Sequence, residues 1–331
     1  MVVEARPFDG LTPERVLAAA EFAGFEADGR LFALNSYENR VYQVGTACHG
    51  MLVLKFYRPG RWSDAQILEE HAFTLELAAH ELPVAAPLAP LGSTLLEQGG
   101  FRYAAFPFRA GHAPELDAPG ALEQLGRALA RVHAIGATRR FRARPALDPE
   151  RLGHRAVRTV RALGFVPPEL AARYAATAEA LLGDIDAAFA DVAGIRVERI
   201  HGDCHLGNVL WNEQGPLFVD LDDCVMGPRV QDLWMFLAGD AGEQRRRWVE
   251  LMRGYEQFAA FDYRELRLIE PLRALRMLHH AAWVAERWGD PAFPRAFPWY
   301  GERRFWETCV TDLAAQREAI AEPPLLASAW V

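Results

Sequence analysis

The stretch that most constrains this chain is residues 199–234, RIHGDCHLGNVLWNEQGPLFVDLDDCVMGPRVQDLW. It interrupts a long region of helical periodicity. A short apolar lead-in meets a polar loop, HGDCHLGN; the strand VLW follows, NEQGP makes a turn, and LFVDL forms a second strand. Apolar runs this short, bounded by Gly, Pro, Asn and Asp, read as strands joined by tight turns. Such a hairpin carries Asn208 and Asp220 to one mouth, and Asp203 lies on the loop just before it.

That set of groups suits phosphoryl transfer. Mg²⁺ arriving with a triphosphate wants oxygen ligands. A carboxylate and a side-chain amide, Asp220 and Asn208, can hold it and still leave positions for phosphate oxygens. A second carboxylate must accept or orient the proton of the attacking hydroxyl, and Asp203 suits that task. The kinase catalytic loop has a His two residues before its Asp and an Asn five residues after it. His201, Gly202, Asp203 and Asn208 reproduce this spacing, although Leu221-Asp222 stands where that pattern has Phe-Gly. A polar turn that merely caps two strands needs none of these identities at these intervals. A metallo-hydrolase built on His201, Asp203 and His205 would want further histidine ligands, and His279-His280 sits on an expected helix without such support. His201 and His205 are read as local scaffolding, and Cys204 as an inert small residue.

The flanking sequence divides in two. Residues 11–27 read as a helix, with Thr12 as N-cap and Pro13 in the first turn. LFALNSYENRVYQVG reads as strand, turn, strand, and MLVLKFY as a third strand. SDAQILEEHAFTLELAAHE is a helix capped by Ser63 or Asp64, with Ile67, Leu68, Phe73 and Leu77 on its apolar side. STLLEQGGFRYAAFPF is a hairpin with a Gly-Gly turn. From about Arg109 the pattern turns helical, over ALEQLGRALARVHAIG and near 150–163, 168–190, 243–260, 263–287 and 300–320. RARPALDPE and the tail EPPLLASAWV are the expected irregular segments. The expected fold class is therefore α+β, with a small β-rich lobe over 1–108, a larger, mostly helical lobe over 109–331, and a crossing near 105–110.

Composition narrows the partners. A formal net charge of −8 argues against a nucleic-acid binder, whose affinity would rest on a basic surface. The arginine runs at Arg139, Arg140, Arg142 and Arg144, and at Arg245 to Arg247, are expected to be solvated faces. The N-terminus has no basic-then-apolar leader pattern, and no apolar run reaches the length of a membrane span. The four cysteines include no CxxC pair, so neither a zinc cluster nor a disulfide framework is expected. A cytoplasmic monomer with no membrane partner follows as the expectation. Of 36 Lys and Arg residues only Lys55 is a lysine, and it lies in the third strand. Arginine replaces lysine as a surface charge, but not where a compact ammonium on a thin stem is needed.

The blocks LNSYENRVYQV, VLKFYRPGRW, QILEEH, HGDCHLGNVLW and VDLDDCVMGPRVQDLW together resemble the bacterial stress response kinase A family of Ser/Thr protein kinases. That family lies within the aminoglycoside phosphotransferase and choline-kinase-like branch of the protein-kinase-like fold. The blocks span residues 34–234. The resemblance implies an ATP- and Mg²⁺-dependent kinase acting on protein Ser/Thr, with autophosphorylation; a small-molecule hydroxyl kinase and a catalytically weak ATP-binding regulator are the rival readings. It implies Asp203 as catalytic base, Asn208 and Asp220 on Mg²⁺, and Lys55 on the α/β-phosphates, paired with Glu70 or, alternatively, Glu69. Phosphate contacts would come from LNSYENR through Ser36, backbone N–H groups or Arg40. The backbone near Phe106 would meet adenine, Asp232 would anchor the catalytic loop, and Asp222 or Asp223 would reach a second Mg²⁺.

Overall fold

The structure, a computed structural model, describes residues 7–325. The smaller lobe starts with α1 (Pro13–Phe22), capped by the Thr12 hydroxyl, which accepts the Arg15 N–H at 3.4 Å. The helix is shorter than the sequence suggests. Gly24 takes a left-handed φ of 84°, and the chain re-emerges as β1 (Ala27–Leu34). Then come β2 (Arg40–Thr46), β3 (Gly50–Phe56), α2 (Asp64–Ala79), β4 (Leu96–Gln98) and β5 (Phe101–Pro107). The five strands form an antiparallel sheet in the order β1-β2-β3-β5-β4. Lys55 stands between Val41 of β2 and Ala104 of β5, in the middle of the sheet.

Helix α2 opens with a capping box in which Ser63 and Gln66 satisfy each other's backbone N–H. Ile67, Glu70, His71, Phe73 and Leu77 are buried along it, whereas Leu68 is 43% exposed. Leu68 follows Ile67 by one residue, about 100° around the helix, which turns it outward. Phe73 and Leu77 join the core of the larger lobe, while Val16, Val44, Leu54, Phe56 and Tyr103 form the separate core of the smaller one. Helix α2 thus couples the two lobes.

Ala105 and Phe106 still belong to β5; the chain leaves the sheet after Pro107. Phe106 packs with Tyr57, Ile67 and Ala104, and the Ala105 carbonyl already accepts the Leu88 N–H at 2.7 Å. The larger lobe contains α3 (Ala121–Gly136), a π-turn over Glu150–His154, α4 (Arg155–Leu163) and α5 (Pro168–Asp191). The short strands β6 (Glu198–Ile200), β7 (Val209–Asn212), β8 (Gly215–Phe218) and β9 (Val225–Gly227) follow. Last come α6 (Ala241–Tyr255), α7 (Ile269–Glu286), α8 (Ala292–Ala296) and α9 (Arg303–Ala321). β7 pairs with β8, and β6 with β9. The lobes meet again where the Phe218 N–H donates to Pro83 O at 2.7 Å. The end of the expected irregular tail, 326–331, lies outside the described residues. Among the described residues no helix is long and apolar enough to cross a membrane.

Candidate active site

The loop from β6 to β7 is built on Asp232, which is fully buried. Its carboxylate accepts the backbone N–H of His201 at 2.7 Å and of Gly202 at 2.8 Å. His133 Nε2 lies 3.2 Å from the same carboxylate, and its Nδ1 is 2.8 Å from the Tyr255 hydroxyl. His201 Nε2 donates to Val219 O at 3.0 Å, tying the loop to the end of β8. Gly202 has φ of 84°, and a Cβ there would run into the Asp223 carbonyl oxygen. Only glycine suits both demands.

Asn208 ends this loop. Its Nδ2 donates to Asp203 O at 3.0 Å, which leaves the amide oxygen able to accept or to ligate. Its own carbonyl accepts the Val219 N–H at 3.0 Å, so Asp220, the next residue, lies across the hairpin mouth from it. Asp220 adopts φ of 56°, a left-handed conformation that Asp and Asn tolerate better than other non-glycine residues. Its side chain is 49% exposed.

Lys55 reaches down from β3 with its ammonium 2.7 Å from Asp220 Oδ1, 3.3 Å from Asp222 Oδ1 and 3.8 Å from Glu70 Oε1. Burial alone would lower its pKa, but Asp220, Asp222 and Glu70 outweigh that and hold it well above the usual lysine range. Glu70 therefore faces Lys55, and Arg144 Nη2 binds its other oxygen at 2.9 Å. Glu69 points elsewhere and accepts the backbone N–H groups of Arg142, Ala143 and Arg144.

Asp222 is 2% exposed and lies among cations. It pairs with Lys55 and Arg61 and accepts Asn39 Nδ2 at 3.1 Å. Burial would raise its carboxyl, but Lys55, Arg61 and Arg144 hold it well below the usual carboxylate range. Asp223 is more open and binds Arg61 at 2.6 Å. Arg144 corrects the expectation of a solvated arginine run: it is 4% exposed and donates to Glu70, to Asp222 O and to Gln66 O. The planar fork of guanidinium lets it satisfy three acceptors at once, and that draws it inside.

Asp203 lies on the open side of the loop. Arg276, on α7, forms an ion pair with its Oδ1, and His205 Nε2 is 3.4 Å from its Oδ2. Burial would raise this carboxyl, but the His205 hydrogen bond and the Arg276 charge hold it well below the usual range. It is an ionised base at neutral pH. Burial pushes the Cys204 thiol well above its ordinary value, which makes it inert.

The other expected nucleotide contacts lie on the β1–β2 loop. Ser36 is half-buried within it. Arg40 binds Asp290 at 3.0 Å and also Tyr37 O and Asn39 O, so its donors brace the loop. Glu38 crosses to the larger lobe, where it meets Arg287 at 2.7 Å and the Trp283 indole N–H. Glu38, Asn39, Arg61, Arg144 and Arg276 are site residues that the sequence did not single out.

Known proteins resemble this chain in sequence and in fold. Residues 31–269 match the model of the phosphotransferase enzyme family. The chain is 43% identical to "Stress response kinase A" of Salmonella choleraesuis over 96% of both chains. The chain belongs to the stress response kinase A family. Another relative, "Serine/threonine protein kinase RdoA" of Salmonella typhimurium, is also 43% identical over 96% of each chain. Among solved structures, amicoumacin kinase hAmiN in complex with AMP-PNP, Ca²⁺ and Ami aligns with a TM-score of 0.72. It shares 18% identity over 94% of this chain and 95% of that one. A microcompartment-associated aminopropanol kinase aligns at 0.67, with 19% identity over 90% and 98%. At such identities these structures show the fold: the two-lobed architecture of this stress response kinase A family member is that of aminoglycoside and choline kinases.

Proposed function

We propose that this chain transfers the γ-phosphoryl group of ATP, with Mg²⁺, to Ser or Thr hydroxyls on protein, its own chain included. The observation that carries the reading is the convergence of Asp203, Asn208 and Asp220 on one hairpin mouth beneath the buried ammonium of Lys55. Asn208 and Asp220 would hold Mg²⁺, which would neutralise charge on the transferring phosphoryl group. Among the described residues no group of three or more His, Cys, Asp or Glu is placed to hold a metal. Nucleotide-borne Mg²⁺ does not need one, because it keeps waters and phosphate oxygens and takes only one or two carboxylates. The amicoumacin kinase, which has the same fold, was solved in complex with AMP-PNP and Ca²⁺, and that supports a nucleotide with a divalent cation as the ligand. Lys55 would meet the α/β-phosphates, with Ser36 and neighbouring backbone N–H groups above them. Asp203 would take the proton of the attacking hydroxyl.

The choice of protein as acceptor rests on the relative named as a Ser/Thr protein kinase, at 43% identity; the small-molecule kinases are similar in fold only. The deciding experiment is radiolabel transfer from ATP, with and without Mg²⁺, to a generic protein substrate and to a panel of amino alcohols. Label should enter protein, this chain included, only with Mg²⁺, and Asp220→Asn should lose Mg²⁺-dependent ATP binding. Transfer to an amino alcohol with none to protein would reject the protein-kinase reading.

A further inference from the structure

The geometry points to Arg276 as the residue that recognises the acceptor, selecting one with a carboxylate or phosphate close to the reacting hydroxyl. This rests on the phosphotransferase reading above and names the substrate class for that same site.

Both oxygens of the Asp203 carboxylate are engaged, one by Arg276 and the other by His205. An acceptor hydroxyl must reach this carboxylate to give up its proton, so one of the two has to yield. His205 is fixed locally, because its Nδ1 accepts the Gly207 N–H at 2.9 Å. Arg276 is a long side chain, 46% exposed, with no other ion pair or hydrogen bond among the described residues. Half-exposed ion pairs of this kind are weak, so Arg276 yields. Its guanidinium then remains beside the acceptor without a partner, and a planar fork of donors matches a carboxylate or phosphate.

The surroundings favour the same charge. The neighbouring carboxylates already hold cations of their own: Asp222 shares Lys55 and Arg61, Asp223 shares the same Arg61, and Glu38 pairs with Arg58 and Arg287. Arg151, on the π-turn, makes no ion pair among the described residues; its Nε donates to Ala146 O at 3.3 Å. His279, three residues beyond Arg276 on α7, is pushed down to about 4 by burial and by the charges of Arg151, Arg287, Arg61 and Arg276. Once displaced, Arg276 is itself the cation left beside Asp203 without an ion-pair partner among the described residues. A cationic amino alcohol would be repelled there, while a Ser or Thr flanked by acidic residues would be held.

The test uses the full-length protein with Mg²⁺ and labelled ATP. Acceptors are one Ser peptide scaffold flanked by Ala, Glu, phosphoserine or Lys, and two small alcohols, glycerate and ethanolamine. The Glu and phosphoserine peptides should show a KM on the order of tenfold below the Ala peptide, and the Lys peptide a higher one. Arg276→Gln should flatten that order, Arg276→Glu should invert it, and the KM for ATP should not move in either. Transfer to glycerate but to no peptide would keep the anionic selection and assign it to a small hydroxy acid. Equal or better transfer to the Lys peptide or ethanolamine overturns the proposal. So does an Arg276→Gln variant that lowers kcat for every acceptor with the KM order intact, because Arg276 would then only position Asp203. Absence of transfer to any acceptor, with Mg²⁺-ATP bound and no ATP consumed, would instead reject the phosphotransferase reading beneath it.

Discussion

Two sets of charges surround the site, one reaching up to Lys55 in the smaller lobe and one at the rim below, and they are held in opposite ways. On the upper side, Lys55, Glu70, Arg144, Arg61 and Asp222 form a net in which the Asp222 side chain is 3% exposed and that of Arg144 is fully buried. On the lower side, Asp203, His205 and Arg276 meet at an open rim, with side chains 25%, 36% and 46% exposed. A buried ion costs several kcal/mol to desolvate and must be compensated by partners, so every member of the upper net has two or more. The rim charges retain water and need fewer. The upper net therefore belongs to the fold as much as to the proposed nucleotide site, whereas the rim can exchange partners. Asp220 spans the difference: it shares Lys55 with Asp222 yet is 49% exposed.

The largest expected effect falls on the rim and should leave the fold alone. Asp203→Asn removes the proposed base, so turnover should drop about a hundredfold to ten-thousandfold. ATP affinity should hold, and the thermal midpoint should move by no more than ~2 °C, since a half-exposed ion pair contributes only about 0–1 kcal/mol. Steady-state kinetics beside a melting curve checks both halves; unaltered turnover would remove Asp203 from the chemistry. Next comes the upper net. Asp222→Ala leaves Lys55, Arg61 and Asn39 each short of a buried partner and should cost about 3 kcal/mol of stability or more. Asp220→Asn, two residues away, should cost less than ~1 kcal/mol. Urea titration of the two variants side by side tests the contrast, and equal losses would dissolve it.

The same contrast explains what could be seen in the sequence. Asp203, Asn208 and Asp220 are brought together by one local hairpin, so their spacing already implied their meeting. The strands around Lys55 were legible because a near-continuous apolar run with Gly at its ends has few other fates. The cations were not legible. Arg276 meets Asp203 across 73 residues, and Arg61 meets Asp222 across 161. Nothing local distinguishes such an arginine from a solvated one, and Arg144 shows the failure within a single basic run. Element ends were blurred for a related reason. The α1 helix stops at Phe22 because Gly24 turns left-handed, although its apolar pattern runs on into β1. The outward turn of Leu68 could be recognised only once its neighbours on α2 had fixed which face is buried.

A last expected effect, smaller than that of Asp222→Ala, sharpens the comparison through pH. His71 follows Glu70 on α2 and is 1% exposed, with Nε2 2.7 Å from the Tyr57 hydroxyl and Nδ1 2.8 Å from Thr94 Oγ1. Burial and the charges of Lys55 and Arg144 push its imidazole from 6.5 down to about 3, with Asp222 opposing them. The folded state thus refuses a proton that the unfolded chain accepts. The unfolded state gains protons as pH falls below 6.5, so the stability His71 contributes is present at neutral pH and is lost on the way down towards 3. Between pH 7 and pH 5 this amounts to about 2 kcal/mol. His71→Gln, which keeps a donor and an acceptor at the site, should flatten the fall in urea midpoint over that interval by that amount. Asp203 offers no such dependence there, because it is already ionised throughout that interval. An unchanged pH slope in the His71→Gln variant would mean that water reaches the upper net, and that it is no more sealed than the rim below.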